Sequence, residues 1–331
     1  MNSLHPLFLD YGWVAGTGPL EAFNATVTNA VRLGLPSLVV SGPPGAGKTT
    51  AALDLCNALS ADTKIVPWQA SAVDIKTRAD TPKFYRSFER APASNKQSKT
   101  RLAVWSDQES TVNNILLSCD EAQTQRVMLV IDEAQHLQLP TLVTLKETME
   151  RLSKKRVHLI TLLLGEPDIQ DRALLLMQKA GGGSLVQRFF ASVHHYRGLW
   201  HEDLRTLMEY VDRARWPGQD GPTYAQYFAP QLARGGWRLS NQADLLWAEF
   251  LRRAEAMHLD VTRFEVLPRF AVRAIRFVMA ELQRDPTLAR DMHTLLANAV
   301  DNSGFEEAQR LIRDATAPAG KGLSKRSRGR G

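Results

Sequence analysis

Eight consecutive residues, Gly42-Pro43-Pro44-Gly45-Ala46-Gly47-Lys48-Thr49, follow the pattern G-x-x-x-x-G-K-[ST]. Glycines at these spacings let a backbone wrap a phosphate with successive N–H groups turned inward. Lys48 would bring a mobile positive charge to the β- and γ-phosphates, and the Thr49 hydroxyl would ligate Mg²⁺. Pro43, Ala46 and Thr50 complete the set expected to line the nucleotide. Roughly 80 residues further on, the apolar run Met128-Leu129-Val130-Ile131 ends in Asp132-Glu133. Such a strand delivers two carboxylates to the carboxyl edge of a sheet, where ligands of open α/β folds bind. Asp132 would hold Mg²⁺ through water, and Glu133 would polarise the attacking water.

Strands and helices must bring these two sets together. A short apolar strand (LVVS) precedes the glycine loop, and a helix is predicted over 48–59 after it, the context a phosphate loop requires. Further strands are predicted at 64–68, 127–132, 157–165 and 190–196. Helices are predicted at 19–33, 108–122, around 142–152, and at 172–179, where Gly181–Gly183 would break the pattern. Strands alternating with helices predict a parallel sheet covered on both faces. From residue 199 to 311 the periodicity is helical, over 204–211, 240–257, 266–282 and 287–300, with a Pro/Gly-containing loop over 215–236. The expected division is an α/β nucleotide-binding domain over 1–198, a smaller all-helical domain over 199–316, and a basic tail over 317–331. The tail is rich in Gly, Ser and Arg and is expected to be disordered.

Composition narrows the class. A hydrophobic share of 44% with 23% charged residues in 331 excludes a disordered or collagen-like chain. Cys56 and Cys119 are too few for a disulfide framework, which points to a reducing, cytoplasmic setting. No apolar stretch approaches the ~18–20 residues of a membrane span. The start MNSLHPLFLDYGW lacks the basic, then apolar, pattern of a signal peptide,. Net charge is +6, and residues 320–331 hold five basic and no acidic residues, so without them it falls to +1. Residues 76–101 hold eight Lys or Arg against Asp80 and Glu89. Two basic patches suit a polyanionic partner, with solvated loops as the other reading. Phe84, Tyr85 and Phe88 could stack on bases, but their spacing is that of core anchors. His194-His195 has no Cys or Asp at zinc-like spacing, so no metal beyond Mg²⁺ is expected.

The GPPGAGKT loop, the VIDEAQHL strand and the helical C-terminal part together resemble an AAA+ ATPase. IDEAQHL, followed by a strand ending LLLGEPDI and then Gln187-Arg188-Phe189, resembles the TnsC/TniB transposition regulators and their relatives ExeA and MuB, over roughly residues 12–300. This resemblance implies an AAA+ P-loop ATPase core followed by a helical lid, working with ATP and Mg²⁺. It also implies head-to-tail assembly, as a ring or helical filament, on double-stranded DNA without sequence preference, with recruitment of a transposase and a target-site protein. Arg188 is the best match to the arginine that meets a neighbouring subunit's γ-phosphate, the rival reading being a local ion pair. Arg269, Arg273 and Arg276 share one helix face and compete for the lid arginine, with Arg273 favoured. Glu166 stands where relatives carry a neutral polar sensor, and Thr161 is the other candidate. Lys99 and Arg101, and Lys154-Lys155-Arg156, are the candidates for DNA phosphates. Two other functions stay open: an ExeA-like ATPase for secretion-system assembly, and a nucleotide-switch adaptor that does not hydrolyse.

Overall fold

The structure is a computed structural model that describes residues 5–9, 13–62, 65–71, 84–85, 87–90 and 108–316. Two compact units divide the chain: Asn2–Tyr210 with Leu267–Arg269, and Val211–Val266 with Phe270–Gly331. The first is α/β and the second is helical.

The α/β unit opens with α1 (Gly18–Leu33), which has proline in its first turn and Gly34 at φ +67° after its last. Both are favoured boundary residues, since proline has no N–H to satisfy and glycine accepts the left-handed cap. Six strands follow: β1 (Ser37–Ser41), β2 (Ile65–Ser71), β3 (Glu89–Arg90), β4 (Arg126–Asp132), β5 (His158–Gly165) and β6 (Val193–His195). They form one sheet in the order β3-β2-β4-β5-β1-β6. Five run parallel, and the two-residue β3 is antiparallel to β2 at the edge.

A parallel strand covered on both faces must be apolar on both. In β4, Val127, Leu129 and Ile131 belong to one core, and the alternate residues Met128 and Val130 to the other. The core around Met128 is closed by α1 through Phe23 and Val27, and by α2 (Lys48–Asp62) through Ala51, Ala52, Leu55 and Cys56. The opposite core takes Ile115 of α3 (Gln108–Ala122), Leu145 of α4 (Leu139–Lys154), Leu176 of α5 (Ile169–Met177) and Phe189 of α6 (Gly182–Phe189). Phe84, Tyr85 and Phe88 are buried there, ring against ring, with the Tyr85 hydroxyl 2.9 Å from Thr148 Oγ1. They are core anchors, as their spacing predicts. Burial pushes the Tyr85 phenol up to about 12.

One element departs from the sequence reading. The glycines at 181–183 follow a break in the helical pattern, as expected, since one helix ends at Met177, but a second begins at Gly182. Gly181 takes φ +77°, and a Cβ on Gly182 would run into the Leu176 carbonyl. Glycine permits this tight reversal, and Leu185, Val186 and Phe189 then bury one face of α6,. The strand expected over 190–196 is correspondingly shorter.

The helical unit starts within α7 (His201–Arg213) and continues with α8 (Tyr224–Phe228), α9 (Pro230–Arg234), α10 (Ala243–Ala256), α11 (Pro268–Arg284), α12 (Met292–Asp301) and α13 (Phe305–Thr316). Phe305 is its aromatic hub, meeting Phe250, Phe264 and Phe270 edge-on. The helix expected over 287–300 begins with a 3-10 turn, Pro286–Asp291, because Asp291 caps α12 by accepting from Thr294 N–H at 3.1 Å. Lys99, Arg101 and the tail over 317–331 lie outside the described residues, as does most of the basic stretch over 76–101. Among the described residues, no helix is long and apolar enough to cross a membrane.

Candidate functional site

The glycine loop leaves the carboxyl end of β1, between β5 and β6, and enters α2 at Lys48. Gly45 and Gly47 sit at φ +82° and +95°, which a side chain would strain,. The Gly42 N–H donates to the Gly165 carbonyl at 3.2 Å, and a Cβ on Gly42 would run into the Tyr196 carbonyl. The loop is thereby pinned to both neighbouring strand ends. Its first helical bond runs from Ala51 N–H to Gly47 O at 2.9 Å. The first N–H groups of α2 have no partner within the helix and, with its positive end, suit an anion.

Lys48 is 9% exposed, and its Nζ donates to the carbonyls of Gly42, at 2.7 Å, and Pro43, at 3.0 Å. Burial pulls its pKa below the usual lysine value, against the opposing charges of Asp132, Glu166 and Glu133. The negative charges of three carboxylates, that of Glu166 among them, thus act on the loop's cation. Thr161, the other sensor candidate, pairs with Ser37 at the start of β1, four positions before the Gly165–Ser41 pair. Its hydroxyl donates to the Pro36 carbonyl at 3.3 Å.

Residues far apart in sequence meet at the sheet's carboxyl edge. Thr49 Oγ1 donates to Asp132 Oδ2 at 2.7 Å, and Asp132 Oδ1 accepts the Glu133 N–H at 2.9 Å. A hydroxyl and a carboxylate side by side are oxygen ligands of the kind Mg²⁺ takes, so Thr49 and Asp132 fit the metal. There it would neutralise charge on the β- and γ-phosphate oxygens. Glu133 adopts φ +54°, ψ +39°, an uncommon conformation for a residue with a side chain,. Its Oε2 accepts from Gln135 Nε2 at 2.6 Å. Gln135 was not singled out from sequence; its signal is its place in the IDEAQHL segment, two residues after the acidic pair.

Of the three arginines expected to compete for the lid role, Arg273 donates to the Ser303 carbonyl at 3.3 Å, inside the helical unit. Arg269, first in the row, lies on the phosphate loop instead: a Cβ on Gly45 would overlap its Cδ. A shared helix face left all three in competition, with Arg273 favoured; the contact with the loop is made by Arg269.

Arg188 lies near the end of α6. The next residue's carbonyl accepts from Ser37 Oγ at 3.0 Å, which puts Arg188 at the amino edge of the sheet. It makes no ion pair among the described residues. Lys154, Lys155 and Arg156 are exposed where α4 turns into β5, at that same amino edge, with Arg156 at φ +63°. Exposed Arg126 and His158 are register partners beside them.

Fold and site together define an α/β P-loop nucleotide-binding core followed by a helical region. Residues 34–173 match the family model of the AAA domain. No curated protein sequence matches the chain. Among solved structures it is similar to Drosophila ORC bound to DNA, at 12% identity over 84% of this chain and 66% of that one, with a TM-score of 0.49. It thus spans just under two thirds of that chain. A mutant of Thermotoga maritima RuvB aligns at 14% identity over 91% and 76%, with a TM-score of 0.46. C. elegans PCH-2 aligns at 13% identity over 88% and 68%, with a TM-score of 0.42.

Lys48→Ala is expected to abolish ATP binding, because it removes the loop's mobile charge. Calorimetric titration checks this, and wild-type affinity in the variant would refute the assignment.

Proposed function

We propose that the protein is an ATP-hydrolysing AAA+ regulator of DNA transposition. On this reading it assembles head to tail on duplex DNA, selects target sites, and recruits a transposase. The observation that carries the hydrolytic part is the meeting of Thr49, Asp132 and Glu133 beside Lys48. Lys48 and the loop N–H groups bind the phosphates, Thr49 and Asp132 hold Mg²⁺, and Glu133 takes the proton of the attacking water. Arg188 of one subunit stabilises charge on the phosphates held by the next. Its position at the amino edge, with no ion pair among the described residues, supports a role in trans over a structural one. Arg269, rather than Arg273, is the arginine that reads the phosphates in cis, given its contact with Gly45.

The amino-edge cations Lys154, Lys155 and Arg156 are the DNA contacts this reading assigns, with Lys99 and Arg101 as the second set. Transposition rests on the resemblance of the IDEAQHL and LLLGEPDI segments. Steady-state phosphate release with and without duplex DNA is the test. Release that rises with DNA supports the reading; ATP binding with no release in either condition favours the nucleotide-switch adaptor.

Binding carried by phosphates weakens steeply with salt, by about 0.9 in the log–log slope per contact. Replacing Lys154, Lys155 and Arg156 together by alanine is expected to lower that slope by roughly 2–3 and weaken all sequences alike. An unchanged slope would place DNA elsewhere, and the Lys99→Ala, Arg101→Ala pair measured alongside would show whether it lies there.

A further inference from the structure

The Gln135 side chain joins two parts of the site that neighbouring residues cannot join by themselves. It stands on the 3-10 turn Ala134–His136 that leaves β4, and it is 8% exposed. Its Nε2 donates to Glu133 Oε2 at 2.6 Å, and its Oε1 accepts the Glu166 N–H, just past β5, at 3.3 Å. The amide can be oriented in only one way. A backbone N–H only donates and a carboxylate only accepts, so a flipped amide would set oxygen against oxygen on one side and N–H against N–H on the other. Gly165 makes room for it: a Cβ there would stand 3.1 Å from Gln135 Oε1 and 2.6 Å from Ile169 Cδ1.

We infer that Gln135 is a positioning residue for the proposed hydrolysis, fixing Glu133 against the end of β5 so that one carboxylate oxygen is held and the other is presented to water. The inference rests on the ATPase reading above. Glu133 leaves β4 in a left-handed conformation that aims its side chain but does not hold its rotamer. The Gln135 amide supplies the hold and ties it to the strand end that carries Glu166. Orienting the base by a third group is the arrangement that makes a general base effective, and misplacement by about 1 Å can cost on the order of 10²-fold in rate.

Two variants of the full chain test this, by phosphate release and ATP titration. Gln135→Met keeps the volume and loses both bonds. Gln135→Glu keeps an acceptor for the Glu166 N–H but offers no donor to Glu133. Both are expected to lower kcat about 10- to 100-fold, with KM and ATP affinity within about threefold of wild type. In a Glu133→Gln background, Gln135→Met is expected to change the residual single-turnover rate less than about twofold, because its effect runs through Glu133. A kcat within twofold of wild type in either single variant overturns the inference. Loss of ATP binding in both overturns it too, by making Gln135 a scaffold residue, and a full further loss in the double variant shows that it does not act through Glu133. If the wild type itself releases no phosphate, the ATPase reading fails, an outcome distinct from these.

Discussion

Arg188→Ala is expected to leave ATP binding by the isolated chain intact and to lower turnover in the assembled protein by about 10³–10⁵-fold, the range for an arginine acting in trans in nucleotide hydrolases. The expectation follows from placement. Arg188 and the phosphate loop lie at opposite edges of one sheet, separated by the five residues of β1, or about 16 Å at ~3.3 Å per residue. Its side chain cannot span that distance to its own nucleotide. Mixing gives the decisive measurement: adding Glu133→Gln subunits, which retain Arg188, is expected to restore turnover at some sites of Arg188→Ala subunits. If assembly is intact and no mixture recovers activity, Arg188 is a local structural residue.

Glu133→Gln is expected to bind ATP as the wild type does and to lose about 10²–10⁴-fold in hydrolysis. Asp132 and Thr49 keep their mutual contact in this variant, so the metal ligands are untouched. Assemblies on DNA are then expected to persist longer, measurable as slower dissociation from an immobilised duplex in ATP. Wild-type turnover would exclude Glu133 as the base. Because Gln135 donates to Glu133, a neutral amide at 133 can still accept that bond through its oxygen. The variant therefore removes basicity more than geometry.

Much of the α/β core was legible because its signals are local and repeated. The loop glycines require positive φ, the strand before Asp132 is apolar on both faces, and the helix over 108–122 has the predicted bounds. What escaped depends on contacts between distant residues. The helix Gly182–Phe189 begins with glycines, which read as a break until Leu176 is seen to close against Gly182. Gln135 lies within the IDEAQHL segment, but nothing in that segment points to its partner, the Glu166 N–H 31 positions away. Three arginines on one helix face look alike in sequence, and only the packing at Gly45 separates Arg269 from Arg273.

On the proposed trans role of Arg188, the sheet's two-edged layout would also set how many working sites an assembly has. A lone chain would hold a phosphate loop without a neighbour's Arg188, and two chains would share one finished site. A row of n subunits would finish n − 1 sites if it stayed open and n if it closed. Specific activity would then climb with protein concentration and level off as rows lengthen. In an open row, the one subunit whose loop faced no neighbour would keep its ATP, so the assembly would carry an unspent nucleotide at a fixed end. That end would be chemically distinct from every interior position, a difference by which a partner protein could tell where a row stops.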